Sequence, residues 1–114
     1  MRLACAQFQR GREGAVINVS SLAAHRVPPG TPPLYAATKH ALRIVTDALR
    51  AEVAARRLPI KAGMVSPGLV DTPWHVDAAG LRRSARGRLP HAALNAADVA
   101  EAVRTILAAP PHVQ

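Results

Sequence analysis

The stretch from residue 34 to residue 58 constrains the fold most, because it contains neither glycine nor proline. Apolar residues recur there at helical spacing in two stripes. One stripe comprises Leu42, Val45, Leu49 and Val53, and the other comprises Ala37, Ala41, Ile44, Ala48, Ala51 and Ala55. The pattern predicts one long helix that Pro59 ends. A sheet covers only one face of such a helix, so the alanine-rich stripe indicates packing on another helix or on another subunit.

Two short apolar runs flank this helix. Residues 15–19 predict a strand buried on both faces, and residues 60–66 predict a second strand. Residues 25–33 hold four prolines and one glycine, so this stretch is predicted to be a loop. A last helix is predicted from Asn95, with Asp98 three positions later in a capping-box arrangement.

The order strand, helix, strand, helix is typical of an α/β protein with parallel strands and right-handed crossovers. Two strands do not make a stable doubly wound sheet. We therefore expect residues 1–114 to form one partial domain, an internal piece of a larger sheet with strands missing at both ends.

Composition excludes several classes of protein. The chain is 49% hydrophobic and 19% charged, which is typical of a globular protein and not of a disordered one. One cysteine, Cys5, permits neither an internal disulfide nor a cysteine-based zinc cluster, and no metal site is predicted. Residues 1–10 hold no sustained apolar run, so we expect no signal peptide, no membrane span and a cytoplasmic protein.

The net charge of +8 raises the question of nucleic-acid binding. The basic residues are spread along the chain, with neither a zinc-finger spacing nor an aromatic-interleaved basic motif. The densest cluster comprises Arg82, Arg83, Arg86 and Arg88. A solvated loop is the favoured interpretation of this cluster, and an anionic ligand or partner is the alternative. Nucleic-acid binding is not expected.

Three motifs point to a chemical function. The first strand ends in Ser20-Ser21, the long helix opens with Tyr35 followed four residues later by Lys39, and the second strand is followed by Pro67-Gly68. Residues four apart lie on the same face of a helix. A lysine ammonium beside a tyrosine favours the phenolate, and this suits the tyrosine to exchange protons with a substrate.

These motifs resemble those of the short-chain dehydrogenase/reductase family over nearly the whole chain. The resemblance implies a partial Rossmann fold, and an NAD(P)-dependent oxidoreductase that interconverts small apolar alcohols and carbonyls. NADP is slightly favoured over NAD as the cofactor. The runs 18–21, 25–27, 98–103 and 109–114 are similar to the farnesol and hydroxysteroid dehydrogenase branch, which includes the dehydrogenase/reductase SDR family members.

The family resemblance also implies roles for individual residues. Tyr35 would be the general acid or base while hydride moves to or from nicotinamide, and Ser21 would hydrogen-bond the substrate oxygen. Lys39 would assist Tyr35 and bind the nicotinamide ribose. The cofactor-binding set is Tyr35, Lys39, Pro67, Gly68, Val70 and Thr72. Trp74 and His75 follow where the substrate loop is expected, with packing beneath that loop as an equal alternative.

The sequence departs from the family in its cofactor-binding half. It lacks the Gly-rich phosphate-binding turn, the residue that selects NAD or NADP, and the Asn-Ala-Gly stretch ahead of the serine. Ala24 also stands where the family usually has glycine. The N-terminal cofactor-binding half and the last strand are therefore expected to be missing, and these 114 residues alone are expected to be inactive.

The long helix, residues 35–58, permits two kinds of partner. In an enzyme, the full-length form is expected to be a homo-oligomer through this helix. The alternative function is a non-catalytic interaction fragment that pairs with a full-length relative through the same helix.

Overall fold

The computed structural model describes residues 13–72 and 93–110, together with the backbone of two short strands between them. The elements are β1 (Gly14–Val19), a 3-10 turn (Leu22–Ala24), α1 (Pro33–Ala55), β2 (Ile60–Val65), β3 (His75–Val76), β4 (Arg82–Arg83) and α2 (Ala96–Ala108). Trp74, Arg86 and Arg88 lie outside the described residues, as do the side chains of His75, Arg82 and Arg83. The proposed substrate loop and arginine cluster therefore stay predictions.

Strands β1 and β2 pair in parallel, from Gly14 opposite Ile60 to Val19 opposite Val65. The helix α1 connects them, so the predicted α/β class and the partial Rossmann-like arrangement are confirmed. The prediction that β1 is buried on both faces is wrong. Its side chains are half-buried or exposed, and Val19 is 50% exposed, because β1 has one neighbouring strand among the described residues.

The core lies between α1 and the sheet. Leu49 and Val53 of α1 pack against Ile60 and Ala62 of β2, with Val16 and Leu58 at the margin. Burying such side chains contributes about 1.5–3 kcal/mol each for the larger ones. The first predicted stripe therefore faces the sheet through its C-terminal half, whereas Val45 remains 40% exposed.

Helix α1 ends at Ala55, three residues before the predicted end. The Arg57 N–H donates to the Ala54 carbonyl and the Leu58 N–H donates to the Val53 carbonyl, which is the hydrogen-bond pattern of a Schellman motif. Arg57 takes a left-handed conformation with φ 50°, which is the position where glycine is common. This turn ends the helix before the chain reaches Pro59.

Helix α2 begins with the predicted capping arrangement and packs on β2. The Asn95 N–H donates to the Asp98 carboxylate over 2.7 Å. Gly63 permits the close approach of the helix, since a Cβ atom there would lie 2.8 Å from Ile17 Cδ1 and 3.0 Å from Ile106 Cγ2. None of the helices in the described ranges is long and apolar enough to span a bilayer.

Lys61 of β2 binds the C-terminus of α2. Its Nζ donates to the carbonyls of Ile106 at 2.9 Å and Leu107 at 3.2 Å, and also to that of Ala109. The last carbonyls of a helix have no partner within the helix and carry its negative dipole end, so a cation stabilises them.

We expect Lys61→Met to lower the free energy of unfolding by about 1 to 2 kcal/mol, because it removes the ammonium and keeps the apolar stem. Urea denaturation followed by circular dichroism measures this. Arg104→Gln is the control, because Arg104 pairs with Glu101 on an exposed surface where such pairs contribute little. An equal effect of the two substitutions would contradict this role of Lys61.

Candidate active site

The candidate site forms where the carboxyl ends of β1 and β2 meet. The parallel hydrogen bonds continue beyond both strands: the Ser20 N–H donates to the Val65 carbonyl over 2.7 Å, and the Leu22 N–H donates to the Pro67 carbonyl over 2.8 Å. These two bonds hold the serine motif against the Pro67-Gly68 turn. Two of the three predicted motifs are therefore neighbours.

Ser21 begins the 3-10 turn. Its Oγ accepts a hydrogen bond from the Ala23 N–H over 3.2 Å. The turn packs against α1, with Ala23 and Ala24 buried. The Ala24 methyl group thus lies in the interface with the helix, and Arg43 of α1 donates to the Ala24 carbonyl over 3.3 Å. Packing and this hydrogen bond fix the backbone that carries Ser21.

Tyr35 and Lys39 lie in the first turns of α1, and both are half-buried. The Lys39 Nζ lies 5.7 Å from the centre of the Tyr35 ring, as expected for residues one turn apart. The same Nζ donates to the Val19 carbonyl at the end of β1 over 3.4 Å. Among the described residues, nothing hydrogen-bonds to the Tyr35 hydroxyl. The lysine thus joins the end of the strand to the face of the tyrosine.

A buried polar chain fixes β1 against the middle of α1. The Asn18 Nδ2 donates to the Thr46 Oγ1 over 2.8 Å, and this hydroxyl donates to the Leu42 carbonyl over 2.8 Å. Thr46 is fully buried. Because an unsatisfied buried polar group costs about 1–3 kcal/mol, this chain disfavours sliding of the helix along the strand.

The turn after β2 carries the predicted cofactor-binding residues Pro67, Gly68, Val70 and Thr72. Gly68 is exposed, and apart from its two chain neighbours no heavy atom of the described residues lies within 4 Å of the position of a Cβ atom there. Val70 forms a parallel bridge with Leu94, and the Leu94 N–H donates to the Leu69 carbonyl over 3.0 Å. The Thr72 N–H donates to the Val70 carbonyl over 3.0 Å.

One side-chain contact between the two loops was not predicted. The His25 Nε2 lies 3.0 Å from the Ser66 Oγ, although the two residues are 41 positions apart. Both residues follow the carboxyl ends of neighbouring parallel strands. That position was the only available sequence signal for their contact.

The described fold is α/β, with a serine after a parallel strand and a tyrosine and a lysine in the first turns of the helix that follows. The sequence profile described as short chain dehydrogenase matches residues 1–80. The chain belongs to the short-chain dehydrogenase family.

The chain is also similar to individual dehydrogenases and reductases. It is 36% identical to the dehydrogenase/reductase SDR family member 11 of Bos taurus, over 99% of this chain and 46% of that protein. The protein of the same name from Mus musculus is 40% identical, over 90% of this chain and 40% of that protein. The farnesol dehydrogenase of Aedes aegypti is 31% identical, over 93% of this chain and 41% of that protein.

These similarities confirm the predicted family and its farnesol and dehydrogenase/reductase branch. The chain spans less than half the length of each of these three relatives.

Proposed function

We propose that the protein interconverts small apolar alcohols and carbonyls with NADP or NAD, using Ser21, Tyr35 and Lys39 as catalytic residues. The observation that carries this proposal is the position of the Lys39 ammonium, 5.7 Å from the Tyr35 ring centre, beside the strand end that bears Ser21. Membership of a family of dehydrogenases supports the reaction class. The name of the farnesol dehydrogenase from Aedes aegypti supports an apolar substrate.

Ser21 is assigned to the substrate oxygen. A serine hydroxyl has one hydrogen to donate and two acceptor positions. The Ala23 N–H takes one acceptor position, and this contact orients the side chain. The hydroxyl hydrogen can then be donated to a carbonyl or alcohol oxygen.

Tyr35 is assigned to proton exchange at that same oxygen. Its hydroxyl gives a proton to the substrate oxygen during reduction, and its phenolate takes the proton of the alcohol during oxidation. The Lys39 Nζ, 5.7 Å from the centre of the Tyr35 ring, places a positive charge beside this exchange. In the bound state, NAD(P) accepts or supplies the hydride.

Lys39 also fits the ribose. An ammonium has three donors, and the Val19 carbonyl uses one of them. The remaining two are assigned to the vicinal hydroxyls of the nicotinamide ribose.

The Pro67–Thr72 turn is assigned to the nicotinamide carboxamide. The open space at Gly68 lets a planar group approach the backbone. Because the Thr72 N–H is used by the Val70 carbonyl, we assign the Thr72 hydroxyl and the Val70 backbone to the carboxamide.

We expect Tyr35→Phe to abolish turnover in the full-length natural polypeptide and to leave cofactor binding nearly unchanged. The hydroxyl transfers the proton and the ring only packs, so the loss should reach about 10² to 10⁴ in kcat. Steady-state kinetics with apolar alcohols, together with an NADPH titration, measure the two effects. Lys39→Ala should weaken both binding and rate. Turnover of Tyr35→Phe within about tenfold of the parent would falsify the assignment.

A polypeptide of residues 1–114 alone is expected neither to bind NADPH nor to turn over alcohols. The pyrophosphate of a dinucleotide needs a helix N-terminus behind a Gly-rich turn. Gly11 comes before β1 in the chain and Gly14 is the first residue of β1, whereas such a turn lies between the end of a strand and the start of a helix. Isothermal titration calorimetry measures binding. Saturation at micromolar NADPH would show this expectation to be wrong.

We also propose that α1 forms a subunit interface. The alanine-rich stripe is exposed in the structure, and Ile44 within it is 63% exposed. Small side chains let a second helix approach closely. The alternative function is an interaction fragment that pairs with a full-length relative. It would use the same surface of α1, and the exposure of the alanine-rich stripe supports it equally.

We expect Ala48→Glu to convert an oligomeric full-length protein to monomers, because it places a charge in the centre of the exposed stripe. Ala54→Glu is the matched control, since Ala54 lies on the charged face of α1 with Arg43, Asp47 and Arg50. Sedimentation velocity measures the mass. A monomeric parent protein would remove the proposal, and so would an equal response of the two variants.

A further inference from the structure

The contact between His25 and Ser66 joins the two loops of the site. The His25 Nε2 and the Ser66 Oγ are 3.0 Å apart. His25 closes the 3-10 turn that Ser21 begins, and its N–H donates to the Leu22 carbonyl over 3.0 Å. Ser66 is the first residue after β2 and directly precedes Pro67. One partner therefore belongs to the catalytic-serine loop and the other to the Pro67–Thr72 turn.

We propose that His25 is a positioning residue that acts through Ser66 to hold the Pro67–Thr72 turn where it binds nicotinamide. This inference rests on the proposed function. It assigns to the histidine no proton transfer and no contact with the substrate.

The first reason is the conformational restriction around Pro67. Proline fixes its own φ near −65° and restricts the residue before it to extended conformations. Holding the Ser66 side chain therefore fixes the direction in which the chain enters the turn. The Leu22 N–H, which donates to the Pro67 carbonyl, holds the next residue from the same side.

The second reason is the open surroundings of the residue that follows. Apart from its two chain neighbours, no heavy atom of the described residues lies within 4 Å of the Cβ position of Gly68. The next backbone contact is that of Leu69 with Leu94. Between Pro67 and Leu69, the position of the turn depends on the direction in which the chain leaves Ser66. The His25–Ser66 contact holds the chain at that residue.

The third reason is that the contact does not depend on one ionisation state. A neutral imidazole nitrogen can donate or accept, a protonated one donates, and the serine hydroxyl can do either. The His25 side chain is exposed, and its backbone is fixed by the 3-10 turn that Ser21 caps. The contact therefore links the position of the Ser21 loop to that of the Pro67–Thr72 turn with either tautomer of the imidazole.

The test compares two ligands in the full-length natural polypeptide, NADPH and 2′-phospho-ADP-ribose, which lacks the nicotinamide. His25→Phe and Ser66→Ala should each weaken NADPH binding about tenfold, the loss expected for one side-chain hydrogen bond. Binding of 2′-phospho-ADP-ribose should stay within about twofold. The double variant should bind NADPH no more weakly than the weaker single variant, because both substitutions remove the same contact.

Two further variants separate positioning from general damage. His25→Gln should restore most of the NADPH affinity, because its amide can reach Ser66. His40→Gln is the histidine control, since the His40 Nδ1 contacts the Ala36 carbonyl within α1 at 2.9 Å. It should bind both ligands as the parent does.

Three outcomes would overturn the proposal in different ways. A parent protein that binds NADPH, with both single variants unchanged, overturns the role of His25 alone. An equal loss for the two ligands also overturns it, because the effect then does not concern the nicotinamide end. A parent protein that binds no NADPH overturns the proposed function and the positioning role together.

Discussion

The parallel ladder between β1 and β2, continued past the ends of both strands, determines the geometry of the site. The Ser20 N–H bonds the Val65 carbonyl, and the Leu22 N–H bonds the Pro67 carbonyl. Pro67 has no N–H to donate, but its carbonyl accepts the hydrogen bond from Leu22. The ladder therefore continues beyond the end of β2. These bonds place the Ser21 loop and the Pro67–Thr72 turn side by side.

Helix α1 then brings the tyrosine and the lysine to the same edge. Asn18 and Thr46 fix the helix along the strand, and Arg43 holds the 3-10 turn against it. Lys39 makes the last of these connections through the Val19 carbonyl. The three contacts lie at successive levels from the middle of α1 to its N-terminal turns, so the position of Tyr35 follows from the packing of the whole helix.

Sequence patterns predicted the elements better than their surroundings. The spacing of apolar residues and the positions of glycine, proline and capping residues located β1, β2, α1 and α2 within a few residues, because these signals are local. The burial of β1 was predicted wrongly, since burial depends on neighbouring strands that the run 15–19 does not specify. The end of α1 was placed too late, because Pro59 was the visible stop signal while Arg57 forms the actual one without being glycine. The His25–Ser66 contact depends on the paths of two loops, which no spacing rule describes.

Lys39 has a structural contact and a proposed chemical one, and this affects how its variants must be interpreted. The N–H groups of Gly14, Ser20 and Leu22 point to β2, so alternation directs the Val19 carbonyl to the outer edge of β1. There the ammonium of Lys39 satisfies it.

Arg50 does the same for the Ala62 carbonyl on the outer edge of β2, with its Nε at 3.1 Å. Replacing Lys39 removes its hydrogen bond to the Val19 carbonyl together with the charge near Tyr35, so a loss of activity in Lys39→Ala combines two effects. The Tyr35 hydroxyl has no partner among the described residues. Tyr35→Phe therefore isolates the chemical step, and it is the cleaner measure of whether this site transfers a proton.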